Sequence, residues 1–279
     1  MGKSDSSNYR AEEVKKHFDQ YGTQEWNRLV ETPVDEISLY IHTQTLKEYV
    51  QPNWSILEIG AGAGRFTQVL AQLKTKILVG DISQVQLDLN KAHAQQFNFA
   101  DSVESWQQVD ICDLGQFEVG QFDGVVAYGG PFSYVLDQRD RAMRACLRVL
   151  KPKGILLLSV MSLWGTVHRH LNGVLETPIE INQKIIETGD ISPETFPGRG
   201  NYMHLFRAGE LRAWLKRFGL SILQMSASNG LSIGWQEWLK DIRDDPLKWG
   251  ELLKMELEAC TEESSLNMGT HIIAVAQKC

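Results

Sequence analysis

The spacing of apolar and polar residues divides the chain near residue 53. Before that point the pattern predicts two helices. The first covers Ala11–Tyr21 and is ended by Gly22, and the second covers Asp35–Val50 and is ended by Pro52. We therefore expect residues 1–52 to form an N-terminal helical cap and residues 53–279 to form the main domain.

Beyond residue 53, short apolar runs alternate with helix-like stretches. Such alternation indicates an α/β domain in which helices cover both faces of a mostly parallel sheet. The predicted strands are Ser55–Ile59, Ile77–Gly80, Ser105–Val109, Phe122–Tyr128, Ile155–Val160, Leu220–Met225 and His271–Ala276. The predicted helices between them are Arg65–Leu73, Gln84–Phe97, Gln138–Leu150 and Arg207–Phe218.

Two segments interrupt the alternation. Residues 161–203 contain glycines, prolines and histidines without a clear period, and residues 231–268 form a Trp-rich stretch with helical character. Long segments inserted in a compact domain are most often lids or binding surfaces. We therefore expect both segments to be insertions that cover an active site.

Composition narrows the classes of partner and location. The chain has 279 residues, a net charge of −7 and 43% hydrophobic residues, which suits one substantial core. The acidic charge disfavours a nucleic-acid partner, and the absence of a long apolar run disfavours a membrane span. Widely separated cysteines favour reduced thiols and a cytoplasmic location: Cys112, Cys146, Cys260 and Cys279.

A glycine-rich turn follows the first predicted strand. Gly60, Gly62 and Gly64, with Ala61 between them, lead into a helix whose N-terminal amides suit an anionic group. The dinucleotide fingerprint G-x-G-x-x-G would place glycine at position 65, where this chain has Arg65. The spacing therefore disfavours a nicotinamide dinucleotide.

Acidic residues close the next two strands. Asp81 lies 21 residues after Gly60, where a carboxylate can accept hydrogen bonds from ribose hydroxyls. Asp110 closes the third strand and could accept from an adenine amino group, while Ile82 offers an apolar face to the ring. Either acid alone could be a solvated strand end or a helix cap. Together with the glycine turn they indicate a nucleoside ligand.

These motifs resemble those of the class I S-adenosylmethionine-dependent methyltransferases, in particular the bacterial group similar to small-molecule methyltransferases. The resemblance covers Ser55 to Lys278 and includes the segments Leu57–Gly64, Gly80–Ser83, Val109–Leu114, Phe122–Val126 and Arg148–Gly154. It departs from the family pattern mildly at Lys153, where the first of two glycines is usual. The resemblance specifies the cofactor class and says little about the substrate.

The resemblance implies a Rossmann-like seven-stranded sheet with an antiparallel last strand beside the fifth. It also implies S-adenosylmethionine as cofactor and S-adenosylhomocysteine as product. Glu58 could hold the amino group of the methionine end, directly or through the loop. The remaining cofactor contacts are expected from Ile111, beside Asp110, and from Tyr128 and Gly129 after the fourth strand.

Methyl transfer mainly requires alignment, exclusion of water and, for weakly acidic acceptors, removal of a proton. His204 is one candidate base, although a structural contact at the start of the following helix is an alternative. Arg28 could pair with the cofactor carboxylate or form a surface salt bridge. His168 and His170 lie two residues apart without a third ligand, so we predict no metal site.

The leading hypothesis is methyl transfer to a small-molecule acceptor by in-line displacement. The segment Ala127–Tyr134 lacks the Asn/Asp-Pro-Pro-aromatic sequence of enzymes that methylate exocyclic base amines. Methylation of tRNA or of a protein is an alternative, and so is a non-catalytic regulatory protein that binds the cofactor. The sequence does not define the acceptor atom or the oligomeric state.

Overall fold

The computed structural model describes residues 7–197 and 201–279. In these ranges the strands are β1 (Ser55–Ile59), β2 (Lys76–Asp81), β3 (Val103–Gln108), β4 (Phe122–Ala127), β5 (Leu150–Met161), β6 (Asp190–Ile191), β7 (Met203–His204), β8 (Leu220–Ala227) and β9 (His271–Lys278).

The helices of the same ranges fall into three groups along the chain. The N-terminal helices are α1 (Ala11–Tyr21), α2 (Gln24–Asn27) and α3 (Pro33–Tyr49). Those between β1 and β5 are α4 (Arg65–Gln72), α5 (Gln84–Gln96), α6 (Pro131–Tyr134) and α7 (Arg139–Val149). Those after β5 are α8 (Leu163–Arg169), α9 (Leu171–Glu176), α10 (Ile179–Thr188), α11 (Ala208–Arg217), α12 (Gln236–Arg243) and α13 (Pro246–Ala259).

Seven strands form one sheet in the order β3-β2-β1-β4-β5-β9-β8. The pairs among β1 to β5 are parallel, whereas β9 runs antiparallel to both β5 and β8. This confirms the predicted fold class, including the antiparallel last strand inserted beside the fifth.

The hydrophobic core has two layers, because successive side chains of a strand point to opposite faces of the sheet. On β1, Leu57 belongs to the layer that includes the apolar faces of α7 and α11, while Ile56 belongs to the layer that includes those of α3 and α4. Burial of each large apolar side chain stabilises the fold by about 1.5–3 kcal/mol. Helices therefore cover both faces of the central strands, and the carboxyl ends of these strands remain open.

Side-chain hydrogen bonds determine where two of these helices, α3 and α5, begin. The Thr32 hydroxyl accepts a hydrogen bond from the Asp35 amide (3.2 Å), and Pro33 occupies the first turn of α3. The Ser83 hydroxyl accepts from the Gln86 amide (3.1 Å) at the start of α5. Each cap satisfies a backbone amide in the first turn of its helix and so fixes where that helix begins.

The segment 161–203 contains more regular structure than its sequence pattern indicated. It contains the short helices α8, α9 and α10, and β6 pairs with β7 in a separate antiparallel sheet. No residue of α9 or α10 is fully buried, so these short helices lie at the surface of the domain. Residues 198–200, which belong to the predicted insertion, lie outside the described residues, as do residues 1–6 of the predicted cap.

The tightest contact of this insertion lies at the start of α8. A Cβ added to Gly165 would lie 1.7 Å from the Gly269 carbonyl oxygen, in the turn before β9. We expect Gly165→Ala to lower the free energy of unfolding in urea by about 3 kcal/mol or more, because two backbone segments must separate.

Gly173 provides the matched control for that substitution. It lies in α9, and an added Cβ would have no neighbour within 4 Å. Gly173→Ala should leave stability unchanged or raise it by about 1 kcal/mol, because alanine favours the helix. Equal effects of the two substitutions would contradict the close packing of α8 on the turn.

Candidate functional site

A cavity of about 340 Å³ opens at the carboxyl ends of β1, β2 and β4. The strand order reverses here, since β1 lies between β2 on one side and β4 on the other. Ligands of open α/β sheets bind outside the carboxyl ends of the strands at such a reversal. The helices α1 and α2 cover the cavity from the opposite side.

The glycine turn forms the floor of the cavity. Gly60, Gly62 and Gly64 have φ values of 69°, 53° and 103°, in the left-handed region that favours glycine. A Cβ on Gly60 would approach Pro131 Cγ to 2.4 Å, and a Cβ on Gly62 would approach Glu25 Cγ to 3.0 Å. Glycine is therefore required by both backbone conformation and space, and the backbone of the turn faces the cavity.

Asp81 connects the end of β2 to the glycine turn. One carboxylate oxygen accepts from the Gly62 amide (2.8 Å) and the other from the Ser83 amide (2.8 Å). Burial raises the pKa of Asp81 to about 6, against the lowering effect of these amide bonds. The side chain lines the cavity, as does that of Ile82, so both predicted residues face one space.

Asp110 also lines the cavity, and it is bonded to a residue that the sequence did not single out. The hydroxyl of Tyr9 donates to Asp110 Oδ2 (2.9 Å), while the Cys112 amide donates to Asp110 Oδ1 (2.8 Å). Burial, together with the Asp110 charge, raises the pKa of Tyr9. The segment before α1 is thereby fixed over the end of β3, next to Ile111.

The helices α1 and α2 form a lid over the cavity. Two oppositely charged side chains, one on α2 and one directly after it, lie against the glycine turn. Arg28 donates to the Glu25 carboxylate through Nε (3.0 Å) and Nη2 (2.7 Å), and both side chains are largely buried. Burial lowers the pKa of Arg28, but the Glu25 carboxylate raises it more, so the guanidinium stays charged. Its Nη2 lies 3.6 Å from the position of a Cβ on Gly129, beside the predicted residue Tyr128.

Arg65 attaches the lid to the glycine turn. Its Nε donates to the Trp26 carbonyl oxygen (2.7 Å), and its guanidinium carbon lies 3.8 Å from the centroid of the Trp26 ring. The same ring packs on His93, with a centroid distance of 3.9 Å. The arginine that replaces the third glycine of a dinucleotide turn therefore holds α2 in place.

Glu58 does not line the cavity. Its side chain is buried beneath the turn, where it accepts a hydrogen bond from the Thr67 hydroxyl (2.6 Å). Burial raises its pKa to about 8. In this position the carboxyl group supports the loop from below, so any effect on the amino group of a ligand passes through the loop.

His204 also lies away from the cavity. The ring is buried, with Nδ1 2.6 Å from Asp190 Oδ1 and Nε2 2.7 Å from Glu210 Oε1. Burial lowers its pKa, but the bonds to the two carboxylates raise it more. Both ring nitrogens are thus committed to a structural contact at the start of α11, a position that does not suit the general-base role considered from the sequence.

The two predicted insertions differ in their relation to the cavity. From residues 161–203, Met161 and Asn201 line it. No residue of 231–268, all of which the structure describes, lines the cavity, and α12 and α13 pack against α3 instead. The lid consists mainly of α1 and α2.

Sequence reasoning missed several lining residues: Tyr9, His17, Glu25, Tyr134, Met161 and Asn201. Most lie on the N-terminal segment, and α1 has no buried residue although it is amphipathic. An amphipathic helix ahead of the glycine turn, with aromatic and histidine side chains on one face, was the available signal.

Comparison with known proteins agrees with this architecture. Residues 57–158 match the family model of a methyltransferase domain. The ubiquinone biosynthesis O-methyltransferase of Xanthomonas axonopodis pv. citri (strain 306) is 26% identical over 176 residues, which are 61% of this chain and 64% of that protein. The similarity thus spans less than two thirds of the curated relative's length.

Two solved structures share the fold. The 1,6-didemethyltoxoflavin-N1-methyltransferase of Burkholderia thailandensis, with bound 1,6-didemethyltoxoflavin and S-adenosylhomocysteine, has a TM-score of 0.59 at 12% identity. The match covers 96% of this chain and 88% of that one. The [4+2]-cyclase SpnF has a TM-score of 0.52 at 19% identity, covering 85% and 79%.

At these identities the two structures show the fold alone. The matched domain, the curated relative and the sheet order agree with the resemblance to the class I S-adenosylmethionine-dependent methyltransferases. Among the helices of the described residues, none is both long enough and apolar enough to cross a membrane.

The contacts of His204 predict a pH-dependent contribution to stability. Because its folded pKa is raised, the ion pairs stabilise the fold below the unfolded pKa and are lost as pH rises through the folded pKa. We expect His204→Gln to cost about 1–3 kcal/mol of unfolding free energy near pH 6 and less near pH 9. Urea unfolding at both pH values measures this.

His168→Gln serves as the control, because His168 is exposed on α8 and outside the cavity. It should change stability little at either pH. A cost of His204→Gln that is equal at both pH values would contradict the ion-pair assignment.

Proposed function

We propose that the chain transfers the methyl group of S-adenosylmethionine to a small-molecule acceptor by in-line displacement. The observation that carries this proposal is the set of groups around one cavity: the glycine turn, two strand-end carboxylates and a lid ion pair. Each group matches one part of the cofactor. Free cysteines add support for a cytoplasmic location within the same proposal.

The nucleoside part of the cofactor fits the side of the cavity formed by β2 and β3. Asp81 keeps acceptor capacity beyond its two amide bonds and can accept from the ribose hydroxyls. Asp110 can accept from the adenine amino group, either beside the Tyr9 hydroxyl or in its place. Ile82 and Ile111 supply the apolar surface for the ring.

The methionine part of the cofactor fits the lid ion pair. An amino acid carries one positive and one negative charge, and Arg28 and Glu25 present the complementary charges. Arg28 uses only some of its five N–H donors on Glu25, so it can also bind a carboxylate. The backbone of Gly60, Ala61, Gly62 and Gly129 borders the same space, and Gly64 caps α4 behind it.

When bound, the cofactor supplies an electrophilic methyl group on a sulfonium with a good leaving group. The residues of this chain orient the two reactants and exclude water. The lid contributes by closing over the turn, since Trp26 packs between Arg65 and His93. No covalent intermediate with the protein is required.

The acceptor fits the remaining wall, which is largely aromatic. His17, Phe18 and Tyr21 face it from the lid, Tyr134 faces it from α6, and Met161 faces it from the end of β5. Phe18 and Tyr134 are in edge-to-face contact, with centroids 5.3 Å apart. Such a wall favours a small, flat, largely apolar acceptor. The name of the Xanthomonas relative, a ubiquinone biosynthesis O-methyltransferase, supports a small-molecule acceptor.

Ligand binding tests the cofactor assignment. S-adenosylhomocysteine should raise the melting temperature while NAD does not, because Arg65 and Glu25 crowd the space that a pyrophosphate needs. A shift with NAD and none with S-adenosylhomocysteine would overturn the proposal. Release of S-adenosylhomocysteine from S-adenosylmethionine, screened over small-molecule pools, then identifies the acceptor.

Asp81→Ala sharpens this test. We expect weaker S-adenosylhomocysteine binding by about 1.5–3 kcal/mol, because a charged hydrogen-bonding group is removed. Asp88→Ala is the matched control, since Asp88 is exposed on α5 and outside the cavity. An unchanged dissociation constant in folded Asp81→Ala protein would show that the ribose binds elsewhere.

The lid ion pair makes a separate prediction. Arg28→Gln should weaken S-adenosylhomocysteine binding by about 10- to 100-fold and should leave binding of 5′-methylthioadenosine, which lacks the amino acid part, nearly unchanged. Calorimetry with both ligands measures this, and Arg212→Gln on α11 is the control. Equal weakening of both ligands would indicate that Arg28 acts only by holding the lid.

A further inference from the structure

One histidine lines the cavity, among the residues that the structure describes. His17 lies on α1 with its ring stacked on that of Tyr21, at a centroid distance of 6.1 Å and an interplanar angle of 15°. Its Nε2 lies 3.4 Å from Asn201 Nδ2, which reaches the cavity from the insertion after β5. The ring therefore stands at the meeting point of the lid and the insertion, on the aromatic wall that we assign to the acceptor.

The three carboxylates that line the cavity in the described part of the chain already have hydrogen-bond partners. Glu25 is paired with Arg28, and Asp81 holds the amides of the glycine turn. Asp110 accepts from the Tyr9 hydroxyl and from a backbone amide. A proton on any of them would weaken a charged contact that shapes the site, and the proposed function assigns all three to the cofactor.

The tyrosines are unsuited to proton removal for a different reason. Burial raises the pKa of Tyr128 and raises that of Tyr134 to about 12, so both are protonated at neutral pH. The pKa of Tyr21 is also raised by burial. These hydroxyls can orient an acceptor by hydrogen bonding but cannot accept its proton.

We propose, on the basis of the function proposed above, that His17 is the general base for an acceptor with a weakly acidic hydroxyl, such as a phenol. The acceptor O–H bond breaks and its proton goes to the imidazole. An oxygen electron pair forms the bond to the methyl carbon, and the electrons of the methyl–sulfur bond remain on sulfur as the neutral thioether. The proton leaves His17 to solvent when the lid opens.

The surroundings of His17 keep its ring available for this role. Burial lowers its pKa, and the carboxylate of Glu25 on α2 opposes that effect to a smaller extent. Tyr21 on its own helix and Asn201 from the insertion are uncharged neighbours. The imidazole is therefore neutral at pH 7, with a lone pair free once Asn201 yields its place to the acceptor.

His17→Gln tests the proposal, because glutamine keeps a hydrogen-bonding group near Asn201 and cannot titrate in this range. The probes are phenol, catechol and 4-nitrophenol, with release of S-adenosylhomocysteine as the readout. We expect kcat for phenol and catechol to fall by about 100- to 10,000-fold. For 4-nitrophenol above its own pKa the fall should be only a few-fold, because the phenolate needs no base.

The pH profile and cofactor binding separate a catalytic role from a structural one. In the wild-type protein kcat should rise with pH through the His17 pKa, below the ordinary value of about 6.5, and this limb should be absent in His17→Gln. The dissociation constant for S-adenosylhomocysteine should be unchanged. His168→Gln, exposed and outside the cavity, should match wild type throughout.

Three results would overturn the proposal. An equal fall in kcat for all three phenols, or no fall, removes the base role of His17 and leaves the proposed function standing. A His17 ring that NMR titration shows to be protonated at neutral pH in the S-adenosylhomocysteine complex does the same. Failure of the wild-type protein to methylate any of the phenols overturns both the acceptor class and the role of His17.

Discussion

The hydrogen bond from the Gly62 amide to Asp81 is the contact on which the site depends. It joins the glycine turn after β1 to the end of β2, two strands that are adjacent in the sheet. Because the turn consists of three glycines with positive φ and two alanines, it has no polar side chain of its own, and the Asp81 carboxylate holds its backbone. Glu58 supports the same turn from beneath through Thr67. The floor of the cavity is thereby defined before any ligand is present.

The lid is held by a second group of contacts and introduces the charges and aromatic rings that the floor lacks. Trp26 packs between Arg65 and His93, and Tyr9 reaches Asp110. These contacts are polar or aromatic, and Tyr9 also packs against one of the two hydrophobic layers. A ligand enclosed between floor and lid contacts elements that are far apart in the sequence.

The fold alone does not define the chemistry of this protein. A [4+2]-cyclase and an N-methyltransferase share its architecture at low sequence identity. What separates such proteins is the set of side chains at the mouth of the cavity. In this chain that set is contributed by α1, α2 and the residues after β4 and β5. It combines the ion pair of Arg28 and Glu25 with an aromatic wall.

The sequence by itself determined the strand and helix order, the glycine turn and the acids at the strand ends, because each depends on local periodicity or backbone conformation. It could not distinguish the lining carboxylate Asp81 from the buried Glu58, since both occupy apolar strand ends. It also could not show that His17 faces the cavity while His204 is enclosed by Asp190 and Glu210. Those outcomes depend on how helices distant in sequence pack over the sheet, and only the tertiary structure decided them.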